Sequence, residues 1–273
     1  MMDTARRLPR LRFGAAGPEQ GARPLPEEVA VALSFNGSTQ AVMMATPADL
    51  VDFAYGFALT EGVATHDQIE TVEIVETGKG IDLQVWIAPQ AEQRLAARRR
   101  TMAGPVGCGL CGIDSIEQAM RPVAHVAPSP FRMTPAQVMG AVDSLTAAQP
   151  LHDVTRAAHC AAWWTPEGIR AAREDVGRHN ALDKLAGHLI RTDGLSHPRF
   201  GAVVLTCRIS IDMVQKVAAL GAPVIIAVSA PTAHAVDLAD EAGITLIALA
   251  RSDRFEVFSH SDRLTEAAHV RHP

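Results

Sequence analysis

The chain has 273 residues, enough for one large domain or two modest ones, which excludes a peptide hormone or a disulfide miniprotein. Hydrophobic residues make up 48% and charged residues 20%, which excludes an intrinsically disordered protein. The net charge of −5 gives no global positive field for nucleic acid or an anionic membrane, and no apolar stretch is long enough to span a bilayer.

Residues 1–26 are rich in Arg, Pro and Gly and lack apolar periodicity, so we expect a flexible tail. Four arginines lie among the first twelve residues, but Gly14 and Gly17 follow where a signal peptide needs its apolar region. The sequence therefore predicts no export signal.

Ordered structure is expected from residue 27. Two strand-like runs, VAVALSF and TQAVMMA, are joined by Asn36-Gly37, a dipeptide typical of a tight hairpin. Thr46 is the predicted N-cap of a following helix that Gly62 ends. A second hairpin, TVEIVETGKGIDLQVWIA, is predicted next.

The remaining chain divides into a helical stretch, AEQRLAARRR, a glycine-rich segment that cannot be regular, and an alternation of strands and helices. A helix is predicted from Thr134-Pro135 to about Ala148, and the alternation after it predicts a sheet covered by helices. We therefore predict an α/β protein with a smaller N-terminal α+β domain over 27–130 and a second domain over 131–273.

The strongest chemical signal is Cys108-Gly109-Leu110-Cys111-Gly112. Glycines around both sulfurs remove side-chain cover, and the three arginines of residues 98–100 would favour thiolate over thiol. Redox or sulfur-transfer chemistry is favoured; half of a zinc site and an inert loop are the alternatives. The other cysteines, Cys160 and Cys207, stand alone, so the chain has no disulfide framework and a reducing compartment is expected.

A second constellation is EDVGRHNALDKL, from Glu174 to Leu185. A strand is predicted to end near Glu174, and a glycine-containing turn would expose Arg178, His179 and Asn180 at the start of a helix. Such a helix start can bind an anion, although an ordinary capped helix has the same pattern.

Further loops follow the later strands, and in an open α/β sheet ligands gather beyond the carboxyl ends of parallel strands. Arginines and hydroxyl groups in these positions suit phosphates and a nucleotide base. The predicted rim consists of Arg178, Arg208, Ser210, Ser229, Thr232, Arg251 and Arg254.

The order of elements is also similar to that of the cytidine deaminase fold. A zinc deaminase needs H-x-E followed by P-C-x-x-C. Here His159-Cys160-Ala161 places Ala161 where the Glu belongs, and the only C-x-x-C comes earlier in the chain. Deaminase chemistry is therefore disfavoured, and no metal site is predicted.

Taken together, EEVAVAL, VMMATPADL, GFALTEG, GCGLCG, EDVGRHNALDKL, RISIDMVQK, VSAPTAHAVDLA and LARSDR resemble the FdhD/NarQ family, the formate dehydrogenase accessory sulfurtransferases. The resemblance covers about residues 27–263. This chain departs from the usual pattern at Cys207 and at Ala157-Ala158, where glycines are common in the family, which affects the expected loop geometry and not the sulfur chemistry.

The resemblance implies a cytoplasmic homodimer with a cytidine-deaminase-like C-terminal αβα domain that has a mixed sheet. It also implies a sulfur carrier that takes persulfide sulfur from a cysteine desulfurase. The sulfur would pass to the molybdenum cofactor, bis-molybdopterin guanine dinucleotide, before insertion into the catalytic subunit of formate dehydrogenase. Cys108 matches the persulfide cysteine, with Cys111 as its companion. The family's cofactor-binding loop matches Leu249, Ala250, Arg251, Ser252, Asp253 and Arg254, where fragments such as GDP would bind.

One alternative belongs to a different class of protein. A chaperone could hold the molybdenum cofactor and use its cysteines only as ligands. Sulfur labelling distinguishes the chaperone from the carrier, because only the carrier forms a covalent sulfur adduct. A metal-dependent oxidoreductase is disfavoured, because the ligand set is incomplete.

Overall fold

The structure is a computed structural model that describes residues 2–101, 122–192 and 198–265. Three sheets organise these residues: a two-stranded ribbon, a four-stranded sheet and a six-stranded sheet. The predicted mixture of helices and strands is confirmed. The division into domains near residue 130 stays a prediction.

The first 26 residues differ from the flexible tail that we expected. Strands β1 (Ala5–Gly14) and β2 (Gly17–Pro26) pair along their whole length in an antiparallel hairpin, with Gly17 at φ 99° closing the turn. The sequence analysis did not predict these strands, because they contain several prolines and arginines, which are uncommon in strands. A two-stranded ribbon tolerates proline because each strand has one edge that makes no ladder hydrogen bonds.

The four-stranded sheet has the order β4-β3-β6-β5 and is built from the two predicted hairpins. Its strands are β3 (Val29–Phe35), β4 (Ser38–Ala45), β5 (Ile69–Thr77) and β6 (Gly80–Ile87). Asn36 and Gly37 both have positive φ, as their turn requires. Helix α1 (Leu50–Thr60) covers one face of the sheet, and helix α2 (Pro89–Thr101) follows β6 as predicted.

Helix α1 begins later than the sequence pattern indicated. Thr46 is not its N-cap, because the hydroxyl of Thr46 accepts a hydrogen bond from Val176 N at 3.2 Å, and its own N–H donates to Asp175 Oδ2 at 3.0 Å. Asp49, with φ 53°, precedes the helix instead. A tertiary contact to a distant strand has overridden the local capping signal.

The six-stranded sheet has the order β12-β11-β10-β9-β7-β8. Strands β9, β10 and β11 are parallel, and β7 runs against both β8 and β9, so β8 ends at the same edge as β9, β10 and β11. The strands are β7 (His159–Thr165), β8 (Gly168–Asp175), β9 (Ala202–Leu205), β10 (Val224–Ala227), β11 (Thr245–Ala248) and β12 (Glu256–Ser259).

Helices cover both faces of this sheet, and each face has its own apolar core. The three helices that connect β8 to β9, β9 to β10 and β10 to β11 pack on one face, where Leu182, Met213 and Leu246 are fully buried. Helix α3 packs on the other face through Val138 and Ala141. The helices are α3 (Pro135–Ser144), α4 (Pro150–Thr155), α5 (Arg178–Thr192), α6 (Ile211–Leu220) and α7 (Ala233–Glu241).

Helices α1 and α5 cross with their backbones in contact and thereby join the two larger sheets. A Cβ placed on Gly56 would lie 1.7 Å from the carbonyl oxygen of Asp183, and one placed on Gly187 would lie 1.8 Å from that of Asp52. Only glycine fits at these two positions. The crossing places the N-terminal sheet next to the edge where β8 ends.

Candidate functional site

The loops after β9, β10 and β11 meet at one edge of the six-stranded sheet, as the sequence predicted. Val228 N donates to Leu205 O at 3.0 Å, Ile209 N to Ala230 O at 3.2 Å, and Leu249 N to Ser229 O at 3.2 Å. Each loop is therefore hydrogen-bonded to its neighbour, and the three form a continuous rim.

Residues 249–254 form the outermost part of this rim. Leu249 has φ 52°, an unusual value for a non-glycine residue that turns the chain sharply after β11. The Arg251 guanidinium donates to the carbonyl oxygens of Val228, at 2.5 Å, and Ala250, at 2.8 Å, so it fastens the loop to its neighbour. Arg254 is exposed and pairs with Asp253 at 3.1 Å.

Arg178, His159 and Cys207 form the inner part of the rim. Arg178 opens α5, and its buried Nε has no hydrogen-bond partner within the described residues. Burial and the nearby Arg178 charge lower the pKa of His159, so its imidazole is neutral near pH 7. The rim therefore combines one guanidinium with an unused donor and one neutral imidazole.

His179 and Asp212 connect the first turns of α5 and α6, because His179 Nε2 and Asp212 Oδ2 form a hydrogen bond. Burial raises the pKa of Asp212, but the hydrogen bond and the charge of His179 lower it by more, so the pKa lies below its usual range. Asp212 is a carboxylate and fixes the position of His179.

A cleft of about 540 Å³ adjoins the rim on the α3 side of the sheet, a volume typical of small-ligand sites. Its polar residues come from α4 and its flanks as well as from the strand ends. The cleft is lined by Val142, Leu145, Thr146, Gln149, His152, Arg156, Ala157, Ala158, His159, Thr206 and Val228. The sequence analysis missed Gln149, His152 and Arg156, since they belong to no motif and their proximity depends on how α4 packs.

The EDVGRHNALDKL segment is not the exposed anion site that we considered. Asn180 is buried, and its side chain donates to Met44 O at 2.8 Å and Asp175 Oδ1 at 3.0 Å. Lys184 Nζ lies 2.6 Å from Asp175 Oδ2 and 2.8 Å from Thr46 O, with both charged side chains fully buried. Most of the motif therefore joins the two halves of the protein, and only Arg178 and His179 reach the rim.

A second buried pair involves Asp183, the residue that precedes Lys184 in α5. Lys216 Nζ, from α6, is 2.9 Å from Asp183 Oδ1 and 2.7 Å from Glu61 Oε1. Burial alone would lower the pKa of Lys216, but the Asp183 and Glu61 carboxylates raise it above its ordinary value. Lys216 is therefore a charged structural residue.

Two of the four cysteines lie within the described residues, and both are buried and unpaired. Burial raises the pKa of Cys160 to about 12 and that of Cys207 to about 11. Cys108 and Cys111, the predicted reactive pair, lie outside the described residues.

Neither a metal cluster nor a membrane helix is found in the part of the chain that the structure describes. No three His, Cys, Asp or Glu side chains there are arranged to hold a metal ion. No helix there is long and apolar enough to cross a bilayer.

Comparison with known proteins assigns the chain to a family. Residues 26–265 match the model of the FdhD/NarQ family. The sulfur carrier protein FdhD of Agrobacterium fabrum is 52% identical over 261 residues, 95% of this chain and 96% of that protein. The protein of the same name from Brucella abortus is 50% identical over 254 residues, 92% of this chain and 94% of its own length.

The fold is also found in a crystal structure. A protein from Desulfotalea psychrophila, assigned as a formate dehydrogenase accessory protein, superimposes with a TM-score of 0.76 at 23% identity, covering 96% of this chain and 100% of that one. At this identity the likeness concerns the fold alone. The family match and the two close relatives show that the chain belongs to the FdhD/NarQ family.

Proposed function

We propose that the protein is a sulfur carrier for formate dehydrogenase. In this proposal it accepts persulfide sulfur from a cysteine desulfurase and passes it to bis-molybdopterin guanine dinucleotide before the cofactor enters the catalytic subunit of formate dehydrogenase. The similarity to proteins named sulfur carriers, at 52% identity over 95% of the chain, supports this assignment. We infer that it acts in the cytoplasm and as a homodimer.

The observation that carries the proposal is the contrast between the two pairs of cysteines. Cys160 and Cys207 are buried with pKa values raised to about 12 and about 11, so almost none of either is thiolate near pH 7. The glycine-flanked Cys108 and Cys111, which follow the basic end of α2 in the chain, are the remaining nucleophiles. We assign the transferable sulfur to Cys108, with Cys111 as its companion.

The loading step is a thiolate exchange. The Cys108 thiolate attacks the terminal sulfur of the desulfurase persulfide, a new sulfur–sulfur bond forms on Cys108, and the desulfurase cysteine leaves as a thiolate. No external oxidant or reductant is needed, because the terminal sulfur changes partner without changing oxidation state. In the release step, the Cys111 thiolate attacks Sγ of the Cys108 persulfide, the Cys108–Cys111 disulfide forms, and the outer sulfur leaves as hydrosulfide to the acceptor. A cellular thiol reductant then returns the disulfide to two thiols.

Intact mass after incubation with a cysteine desulfurase and cysteine tests the loading step. We expect the wild-type chain to gain a sulfur atom, Cys108→Ser to lose the adduct and formate dehydrogenase activation, and Cys111→Ser to load in part. Cys207→Ala, which removes a buried thiol, is the matched control and should load fully. Full loading of both single serine variants would overturn the assignment to Cys108. A wild-type chain that gains no sulfur would instead support the chaperone that uses its cysteines only as ligands.

We further propose that the strand-end rim holds the guanine dinucleotide part of the cargo. The rim fits an anionic nucleotide, because Arg208 and Arg254 are exposed there, the Arg178 Nε is an unused donor, and the cleft beside it is about 540 Å³. Leu249, Ala250, Arg251, Ser252, Asp253 and Arg254 are the proposed contacts.

Calorimetry with GDP tests this site. Replacing Arg254 with Ala should weaken GDP binding by about tenfold to 100-fold if a charge-assisted phosphate contact is lost. Arg199→Ala is the control, since Arg199 is also exposed but precedes β9 at the opposite edge of the sheet. Equal affinity of wild type, Arg251→Ala and Arg254→Ala would move the nucleotide elsewhere.

The fold of the C-terminal half supports the comparison with cytidine deaminases. A hairpin, β7 and β8, stands beside three parallel strands with helical crossovers. We propose that this half is a cytidine-deaminase-like domain that keeps the strand-end position for its ligand and lacks the deaminase zinc motif.

A further inference from the structure

The N-terminal hairpin is a ribbon with two chemically different faces. Residues paired across β1 and β2 share a face, so the register assigns every side chain of the ribbon to one of the two. The apolar face carries Pro9, Leu11, Phe13, Pro18, Ala22 and Pro24, with Arg7 near the base and Gln20 beside Leu11 as its polar residues. The opposite face carries Arg6, Leu8, Arg10, Arg12, Glu19, Arg23 and Leu25. We call this hairpin, residues 5–26, the arm.

The arm leaves its apolar face uncovered in the single chain. Leu11 is 55% exposed and Phe13, near the tip, is 76% exposed. The base is attached through Glu27 N, which donates to Thr4 O, and through Arg23 Nη2, which donates to Thr155 O at 3.1 Å. A two-stranded hairpin is at best marginally stable in water, so this apolar face needs a partner surface.

A second uncovered apolar surface lies on the four-stranded sheet. The face away from α1 carries Val42 and Met44 from β4, Trp86 from β6 and Val75 from β5, and the first three are 47%, 44% and 40% exposed. The small side chains of Ala30 and Ala32 form its centre on β3. We call this surface the outer sheet face; the arm of the same chain leaves it exposed.

The two surfaces have opposite charge. Residues 5–26 contain five arginines and one glutamate, a net charge of +4. Residues 27–88, which build the four-stranded sheet, contain ten acidic residues and one lysine, a net charge of −9. Asp82 and Glu73 lie on the outer sheet face itself. Four of the five arginines lie on the opposite face of the arm, so the apolar face itself presents Arg7 and no acidic residue. Arg7 and the carboxylates of Asp82 and Glu73 are complementary in charge.

The arm and the outer sheet face also match in size. Strands of ten residues and a two-strand width give the arm a face of about 330 Å², and the four-stranded sheet is at least as large. Two symmetric contacts of this size bury about 1,300 Å² in total, within the range of stable protein interfaces. We propose that the arm of one copy packs its apolar face across the outer sheet face of a second copy, and that the exchange is reciprocal.

The arm precedes the residues that match the family model, which begin at residue 26. The proposal is also independent of sulfur transfer, since neither surface contains a rim residue or a cysteine. Failure of the arm test would leave the proposed sulfur transfer intact, and only a monomeric wild type would also remove the homodimer inferred above.

Sedimentation equilibrium of the full chain tests the arm. We expect the wild type to dimerise, and Leu11→Ser with Phe13→Ser to raise the dimer dissociation constant by about 100-fold, because two apolar anchors are lost. Leu8→Ser with Leu25→Ser is the matched control, as it makes the same change on the opposite face of the same strands. This control should change the dissociation constant by less than about threefold.

A photo-crosslinker at Phe13 locates the receiving surface. In a mixture of isotopically light and heavy chains, cross-links between copies should map to the strands that carry Val42, Met44, Val75 and Trp86. A monomeric wild type, equal effects of the two double variants, or cross-links to any other surface would overturn the proposal. Binding of the wild type to anionic lipid vesicles, lost in the Leu11 and Phe13 variant, would also overturn it and assign the arm to a membrane.

Discussion

At the scale of single residues, the DVGRHNALDK motif shows that polar side chains in a sequence need not be exposed in the fold. Asn180 was predicted to be exposed at a helix start open to ligands, yet Asn180 is buried, as are Asp175 and Lys184. Their partners, Thr46 and Met44, lie more than 120 residues away in the chain. The sequence showed which residues carry charge, but the partners that neutralise or satisfy them depend on the tertiary fold.

The Lys184–Asp175 pair is the most direct test of this structural role. Both side chains are fully buried, so Lys184→Met leaves the Asp175 carboxylate without its cation. We expect a loss of about 3–5 kcal/mol in the free energy of unfolding, measured by urea denaturation. Lys184→Met combined with Asp175→Asn should recover part of that loss, because no unpaired charge remains buried. A loss below about 1 kcal/mol in the single variant would contradict the pairing.

At the scale of secondary-structure elements, the sequence predicted most strands and helices correctly. The hairpin through Asn36-Gly37, helix α2 and the alternation from β7 to β12 follow from apolar periodicity and turn residues. The arm was missed because Pro and Arg are poor strand formers and its stability depends on pairing along a full register. The start of α1 was misplaced because Thr46 makes a tertiary contact in place of a cap.

The crossing of α1 and α5 makes a prediction about two glycines. Gly56→Ala should destabilise the protein by about 1–3 kcal/mol or more, because the new methyl group would collide with the backbone of α5. Gly187→Ala should have a similar effect.

Gly140→Ala is the control for both variants. Gly140 lies within α3, and a Cβ there would meet nothing within 4 Å. Alanine should therefore stabilise α3 by about 0.4–1 kcal/mol. Urea midpoints of the three variants measure the difference, and a neutral Gly56→Ala would show that the helices can separate at little cost.

At the scale of the whole molecule, the two halves are joined by polar contacts of Lys184 with Thr46 and of Lys216 with Glu61, and by a backbone-to-backbone helix contact. We therefore expect them to unfold together. Trp86 reports on the four-stranded sheet, and Trp163 and Trp164 report on β7. Fluorescence of a Trp86→Phe variant and of a Trp163→Phe, Trp164→Phe variant should give the same denaturant midpoint, after correction for each variant's stability by circular dichroism.

Two separate midpoints would mean that the halves are independent domains joined by weak contacts. The sequence could not distinguish these cases. It predicted a division near residue 130 from local patterns, whereas the contacts of Lys184 with Thr46 and of Lys216 with Glu61 arise only when distant segments pack.

The helix crossing has a consequence for the segment that carries Cys108 and Cys111. On one side of this segment, α2 is anchored through Ala91 and Leu95; on the other, Val126 N donates to Ala242 O. Covalent continuity through residues 102–121 is therefore not what holds the halves together. A protease that nicks the chain within this segment should leave two fragments that elute as one particle under native conditions and separate only in denaturant.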